Sequence, residues 1–149
     1  MLRLQWQDTP GITLLIVYVR RASRGNPGPC ACGYVIYKNN EVVLEGGQYL
    51  SDRNTNNFAE YMGLVHGLLS AGELGIKSLD VEGDSMLVIN QVTGTYKIRS
   101  ENLMAPYNTV QQLLPRFDNI SFHHVKRKFN SFADRLANAA LDAGSEEPH

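Results

Sequence analysis

Glu60, Asp84 and Asp134 are three carboxylates that the sequence sets at the ends of separate elements. Glu60 follows the polar run Asn54-Thr55-Asn56-Asn57 and opens a segment in which Met62, Leu64, Val65, Leu68 and Leu69 recur at helical spacing. Asp84 stands just after a strand-like run, and Asp134 in the first turn of a last predicted helix. A carboxylate in a first helical turn is favoured by the macrodipole, so helix chemistry alone explains any one of them. Three such acids on rigid supports make a donor set for a hard divalent cation, which takes oxygen ligands.

The hydrophobic pattern supplies the frame these acids need. Thr13 to Arg20 carries Leu14, Leu15, Ile16, Val17, Tyr18 and Val19, the mostly apolar run of a central buried strand. A stretch dense in turn residues, Ala22 to Pro29, leads to a second strand over 32–38, a turn at Asn39-Asn40 and a third strand over 42–49. These three read as an antiparallel meander. The Glu60 helix runs to Leu74, where Gly75 is its stop. Gly63 and Gly67 inside it each cost roughly 1 kcal/mol of helix propensity against alanine, which predicts a backbone packed closely on a neighbour. A fourth strand spans 77–83, and Asp84-Ser85 caps a short helix over 86–92 that Gly94 ends. Another helix starts near Ser100, with Pro106 expected to restrict it, and a fifth strand covers 120–125 before a last helix over 131–143. Three strands, helix, strand, two helices, strand, helix: this order predicts an α/β fold, a five-stranded mixed sheet with helices packed on it. One domain over 13–143 is expected, with 1–12 as an N-terminal tail or arm and 144–149 as a C-terminal tail.

With 43% hydrophobic and 19% charged residues in 149, the chain has the composition of an ordinary globular domain. Its net charge of −1 means that any nucleic-acid binding must rest on a local basic patch rather than a global field. Cys30 and Cys32 have no second Cys/His pair to complete a zinc pattern, and a reduced, intracellular location is the expectation. Leu14 to Val19 is too short to span a bilayer, so no membrane partner is expected, and no signal peptide is visible.

Four ordered blocks then carry a resemblance: Ala22-Ser23-Arg24-Gly25-Asn26-Pro27-Gly28-Pro29, Thr55-Asn56-Asn57-Phe58-Ala59-Glu60-Tyr61, Gly83-Asp84-Ser85, and His124-Val125 through Asn130, Ala133-Asp134 and Leu136-Ala137-Asn138. Together they resemble ribonuclease H, type 1, over Leu14 to Asp142. The resemblance implies an RNase H-like fold and cleavage of the RNA strand of an RNA–DNA hybrid by two Mg²⁺ (or Mn²⁺) ions held by four carboxylates. Glu60, Asp84 and Asp134 match three of the four. It further implies that Asn26, Asn56 and Asn57 contact sugars and bases, that Thr55 belongs to a phosphate pocket, and that the protein is a monomer. Arg20, Arg21 and Arg24 form one basic run and Lys126-Arg127-Lys128 another, both placed to neutralise phosphates on the rim that carries the acids. The segment 94–103 is too short for the basic protrusion of some relatives. His124 matches a strand histidine of the subgroup without that protrusion; a structural role is expected for it and for His123, and packing or surface for His66.

The fourth ligand is missing. Where the family's first strand ends in Asp-Gly, this chain has Arg20 and Arg21. A guanidinium is always charged and has no lone pair to donate, so Arg20 cannot ligate a metal. Arg20 is expected to pair with Glu60, Asp84 or Asp134, partly replacing the charge of the ions. Asp8 is the acid nearest upstream that a loop could bring back. Three functions follow: an RNA–DNA hybrid-binding domain whose hydrolysis is lost or impaired, an active hybrid endoribonuclease, or a protein-interaction scaffold reusing the fold.

Overall fold

Strand β1 (Thr13–Arg21) lies at the centre of a five-stranded sheet of order β3-β2-β1-β4-β5. The computed structural model describes residues 13–21, 28–39 and 41–125, with backbone alone at 19–21, 28–30 and 51–54. The apolar run of β1 serves two faces by strand alternation: Leu15 and Val17 join the main core, while Tyr18 packs with Val35, Ile16 and Tyr37 on the other side.

β2 (Gly28–Lys38) pairs antiparallel with β1, with Leu15 opposite Ile36 and Val17 opposite Tyr34. β3 (Glu41–Asn54) pairs antiparallel with β2 and runs five residues past the predicted end at Tyr49, its register shifting at both ends of β2. Asn39 turns the hairpin at φ 51, in the left-handed region that asparagine tolerates. β4 (Ser78–Gly83) is parallel to β1, with Val17 opposite Gly83, and β5 (Asn119–His124) is parallel to β4. The sheet is mixed for a covalent reason: tight turns return strands antiparallel, and helical crossovers return them parallel.

The first crossover is α1 (Asn56–Glu73). A Cβ added at Gly63 would stand 2.7 Å from Val17 Cγ1, and one at Gly67 2.7 Å from Leu15 Cδ1. The close approach expected from the two glycines is therefore made directly onto β1. Leu64, Leu68 and Ala71 of α1 complete the core with Leu79 and Val81 of β4. Gly75, at φ 78, reverses the chain after the helix. α2 (Met86–Val92) and α3 (Glu101–Leu113) follow, and a 3₁₀ turn (Leu114–Arg116) leads to β5. Pro106 does not break α3: the helix continues through it, with Leu103, Pro106, Val110 and Leu113 buried along one face. Tertiary packing of that face outweighs the one backbone bond a proline removes. No described helix is long and apolar enough to cross a membrane. The predicted last helix and both tails lie outside the described residues.

Candidate functional site

Thr55 begins the site by capping α1. Its backbone is extended (φ −84, ψ 160), and its Oγ1 accepts from the Phe58 N–H at 3.2 Å. With the cap fixed at Thr55, Glu60 falls in the second helical turn, not in the first as the sequence suggested. It is 2% exposed, on the face turned to the sheet. Capping therefore does not explain it. Ser85, rather than Asp84, is the N-cap of α2, its Oγ accepting from Val88 N–H at 3.2 Å. Asp84 is left half-buried at the end of β4.

The helix and the strand bring Glu60 and Asp84 together. Burial pushes the Glu60 carboxyl well above the usual carboxylate range, and the charge of Asp84 and a hydrogen bond shared with it push the same way. The Ser85 backbone N–H works in the opposite direction and does not win. Among the described residues Glu60 Oε1 is enclosed without a hydrogen-bond partner, and a carboxylate oxygen left so is costly. A Cβ on Gly83 would overlap Glu60 Oε2, so glycine is what lets this carboxyl lie against the strand. A buried carboxyl oxygen beside a second carboxylate is a donor set of hard oxygens, and it fits a divalent cation of the Mg²⁺ or Mn²⁺ kind. Among the described residues, Glu60 and Asp84 are the two that could hold it.

β5 steadies the end of β4. Val125 N–H donates to the Gly83 carbonyl at 2.9 Å, and His124 Nε2 lies 3.3 Å from the Asp84 main-chain oxygen. His123 instead meets Ser121 Oγ at 3.1 Å. His66 sits half-buried on α1, its Nε2 without a partner among the described residues, and burial lowers its pKa.

α1 and α2 also border a groove of about 620 Å³ whose lining includes Thr55, Asn57, Gln91, Lys97, Arg99 and Asn102. No described lining residue is acidic. Two hydrogen bonds tie its walls together: Ser85 Oγ donates to Asn57 Oδ1 at 3.0 Å, and the buried Tyr61 hydroxyl donates to Gln91 Oε1 at 2.7 Å. Burial, with Tyr107 nearby, holds the Tyr61 phenol above its ordinary pKa.

Of the residues singled out in the sequence, the structure thus joins Glu60 to Asp84 and places Thr55 and Asn57 in the groove, while Asn56 is exposed at the first helical position. Arg20 pairs through its backbone with Ala31, and Arg21 with Cys30, beyond the last β1–β4 pair. Their side chains, and with them the expected ion pair, lie outside the description, as do Asp8, Arg24, Asn26, Lys126, Arg127 and Asp134. Sequence reasoning missed Lys97 and Arg99, although charge within 94–103 was a usable signal. Gly83 was seen only as part of a motif, and Ser85 only as a helix cap, because the contacts of Gly83 with Glu60 and of Ser85 with Asn57 join residues distant in the chain.

Residues 21–140 match the family described as reverse transcriptase-like. Ribonuclease HI of Halobacterium salinarum is 42% identical over 84% of this chain and 63% of its own length. The crystal structure of RNase H1 from that archaeon superposes with a TM-score of 0.77 at 40% identity, covering 87% of this chain and 98% of that one. Bifunctional protein Rv2228c of Mycobacterium tuberculosis is 38% identical over 89% of this chain, which spans only 36% of that protein's length. Its N-terminal RNase H domain, solved as a fusion, gives a TM-score of 0.80 over 90% of this chain and 97% of that one. LC11-RNase H1, isolated from compost and solved in complex with an RNA/DNA hybrid, gives 0.78 at 31% identity, over 89% of this chain and 99% of that one. Sheet order, crossover helices and these matches over most of the chain agree, and the chain belongs to the type 1 ribonuclease H family.

Proposed function

We propose that this domain binds an RNA–DNA hybrid across the Glu60–Asp84 pair and the adjoining groove, and that hydrolysis of the RNA strand is lost or impaired because Arg20 holds the position of the family's first catalytic aspartate. The observation that carries the reading is the buried Glu60 carboxyl paired with Asp84 beside a groove whose described lining holds two cations and no acid. That LC11-RNase H1 was solved with a hybrid supports the choice of ligand.

Members of the family use divalent metal ions, and Glu60 and Asp84, with Asp134, are the residues that would hold them here. When bound, such ions would supply Lewis-acid stabilisation of the attacking and leaving oxygens of an in-line displacement. The chain's own groups do the rest. Gly83 leaves the Glu60 carboxyl its place, and the β5 contacts fix the main chain at Asp84. Thr55 and Asn57, and Asn26 by its match to the family, offer uncharged donors and acceptors suited to ribose 2′-hydroxyls. Lys97 and Arg99 neutralise phosphates, together with Arg24, Lys126 and Arg127. Arg20 adds positive charge where cations must gather and offers no lone pair. A second reading, a working hybrid nuclease, is favoured by Glu60 Oε1, which has no partner among the described residues and so offers a donor to a cation.

Cleavage of a labelled RNA–DNA hybrid in Mg²⁺ or Mn²⁺ separates these readings when wild type is run beside Arg20→Asp with Arg21→Gly. Binding by both proteins and cleavage by the double variant alone is the expected result. Cleavage by wild type that Asp84→Asn abolishes would establish the working nuclease instead. Failure of both proteins to bind hybrid would leave the protein scaffold.

A further inference from the structure

We infer that Ser85 is a positioning residue for Asn57: its hydroxyl holds the Asn57 side-chain carbonyl inward, so that the amide NH₂ is what the groove presents to a ligand. This deepens the hybrid-binding reading and rests on it. A serine hydroxyl has one proton and two lone pairs. In Ser85 a lone pair is committed to the α2 cap, accepting from Val88 N–H at 3.2 Å. The proton goes to Asn57 Oδ1 at 3.0 Å. With its carbonyl oxygen turned to Ser85, the planar Asn57 amide leaves its NH₂ group on the side away from that serine, and Asn57 lines the groove. A cap on one element is thereby tied to a ligand-facing side chain on another.

The consequence is one of specificity. Along a minor groove every base pair shows acceptors, and only guanine adds a donor, its exocyclic amine. A fixed NH₂ group reads what all base pairs share and is tolerant of sequence. A freely turning amide would also present its carbonyl, accept from guanine, and acquire a preference for it. Ser85 therefore keeps recognition independent of sequence while the 2′-hydroxyls and phosphates carry the affinity.

The test uses two short hybrids that differ only in carrying guanine or inosine, which lacks the exocyclic amine, with binding followed by fluorescence anisotropy in metal-free buffer. Wild type and Ser85→Thr, which keeps the hydroxyl, should bind the two hybrids within about twofold of one another. Ser85→Ala should shift the ratio toward guanine by about fivefold or more. Ser85→Gly removes the hydroxyl at little cost to the cap and should shift the ratio in the same way, which covers the case of an alanine variant that does not fold. A uniform loss of affinity with an unchanged ratio would overturn the inference and leave Ser85 a helix cap. Should wild type bind neither hybrid, the functional reading fails, and the Asn57 side-chain amide resonances of the free protein decide the positioning separately. Broadening of those resonances in Ser85→Gly sustains it, and an unchanged pair overturns it.

Discussion

The Glu60 carboxyl is enclosed beneath α1, and burial and the neighbouring Asp84 hold its pKa well above the ordinary carboxylate range. In the unfolded chain it titrates near about 4.3, so the metal-free folded state keeps its proton over a window in which the unfolded chain has lost it. Stability then falls as pH rises through that window, because the native state binds more protons. In EDTA, the melting temperature of wild type should decline from the unfolded value upward through the raised native one, relative to Glu60→Gln, which carries no such proton. Adding Mg²⁺ above the window should raise the wild-type melting temperature and leave that of Glu60→Gln unmoved. Parallel curves in EDTA would show that the carboxyl ionises freely and that the pair is not coupled as described. Gly83 belongs to the same argument. Gly83→Ala pushes a methyl group onto Glu60 Oε2, so calorimetric titration should find Mg²⁺ binding weakened by tenfold or more, about 1.4 kcal/mol, while circular dichroism stays that of a folded α/β domain.

Between elements, the contact that fixes the site is α1 lying directly on β1. Gly63→Ala gains up to about 1 kcal/mol of helix propensity, but its methyl would sit 2.7 Å from Val17 Cγ1 and 3.2 Å from Cys32 Cβ. Overpacking of this kind costs about 1–3 kcal/mol, and Val17 is β-branched and cannot swing away. Urea unfolding should therefore find Gly63→Ala net destabilised, by up to about 2 kcal/mol. Gly67→Ala should lose less, since it meets the ends of the Leu15 side chain. These glycines were legible in the sequence because a helix keeps such residues only under a compensating contact. The bounds of α2 were legible too: the Ser85 cap and the Gly94 stop are local signals, and the helix spans Met86–Val92 as predicted. The end of β3 was not, because its ladder with β2 continues to Asn54 through pairings that no local pattern encodes. Nor was the turn that holds Glu60. The run Asn54-Thr55-Asn56-Asn57 offers several cap residues in a row, and the choice of Thr55 moves Glu60 from the expected first turn to a buried second one.

At the scale of the molecule, a net charge of −1 coexists with a groove that holds Lys97 and Arg99 and no described acid. The sequence made Glu60 and Asp84 legible as candidates, since their types and surrounding motifs are local, but it hid the groove. Its cations follow α2 in a segment read only for its length, and they become a surface once α3 and the N-terminal end of α1 close round them. Charge sorted in this way has a thermodynamic signature. Each phosphate that a cation neutralises releases condensed counterions, so the logarithm of the binding constant falls with the logarithm of salt concentration by roughly 0.9 per contact on a duplex. Lys97→Ala with Arg99→Ala should therefore flatten that slope for an RNA–DNA hybrid by about two units and weaken binding most at low salt. Asn57→Ala should lower affinity without changing the slope, because an uncharged amide releases no ions. A double variant with the wild-type slope would place the phosphates elsewhere on the rim. The basic run at 126–128 would then be the next set of cations to remove, in the same titration and with the same slope as the measure.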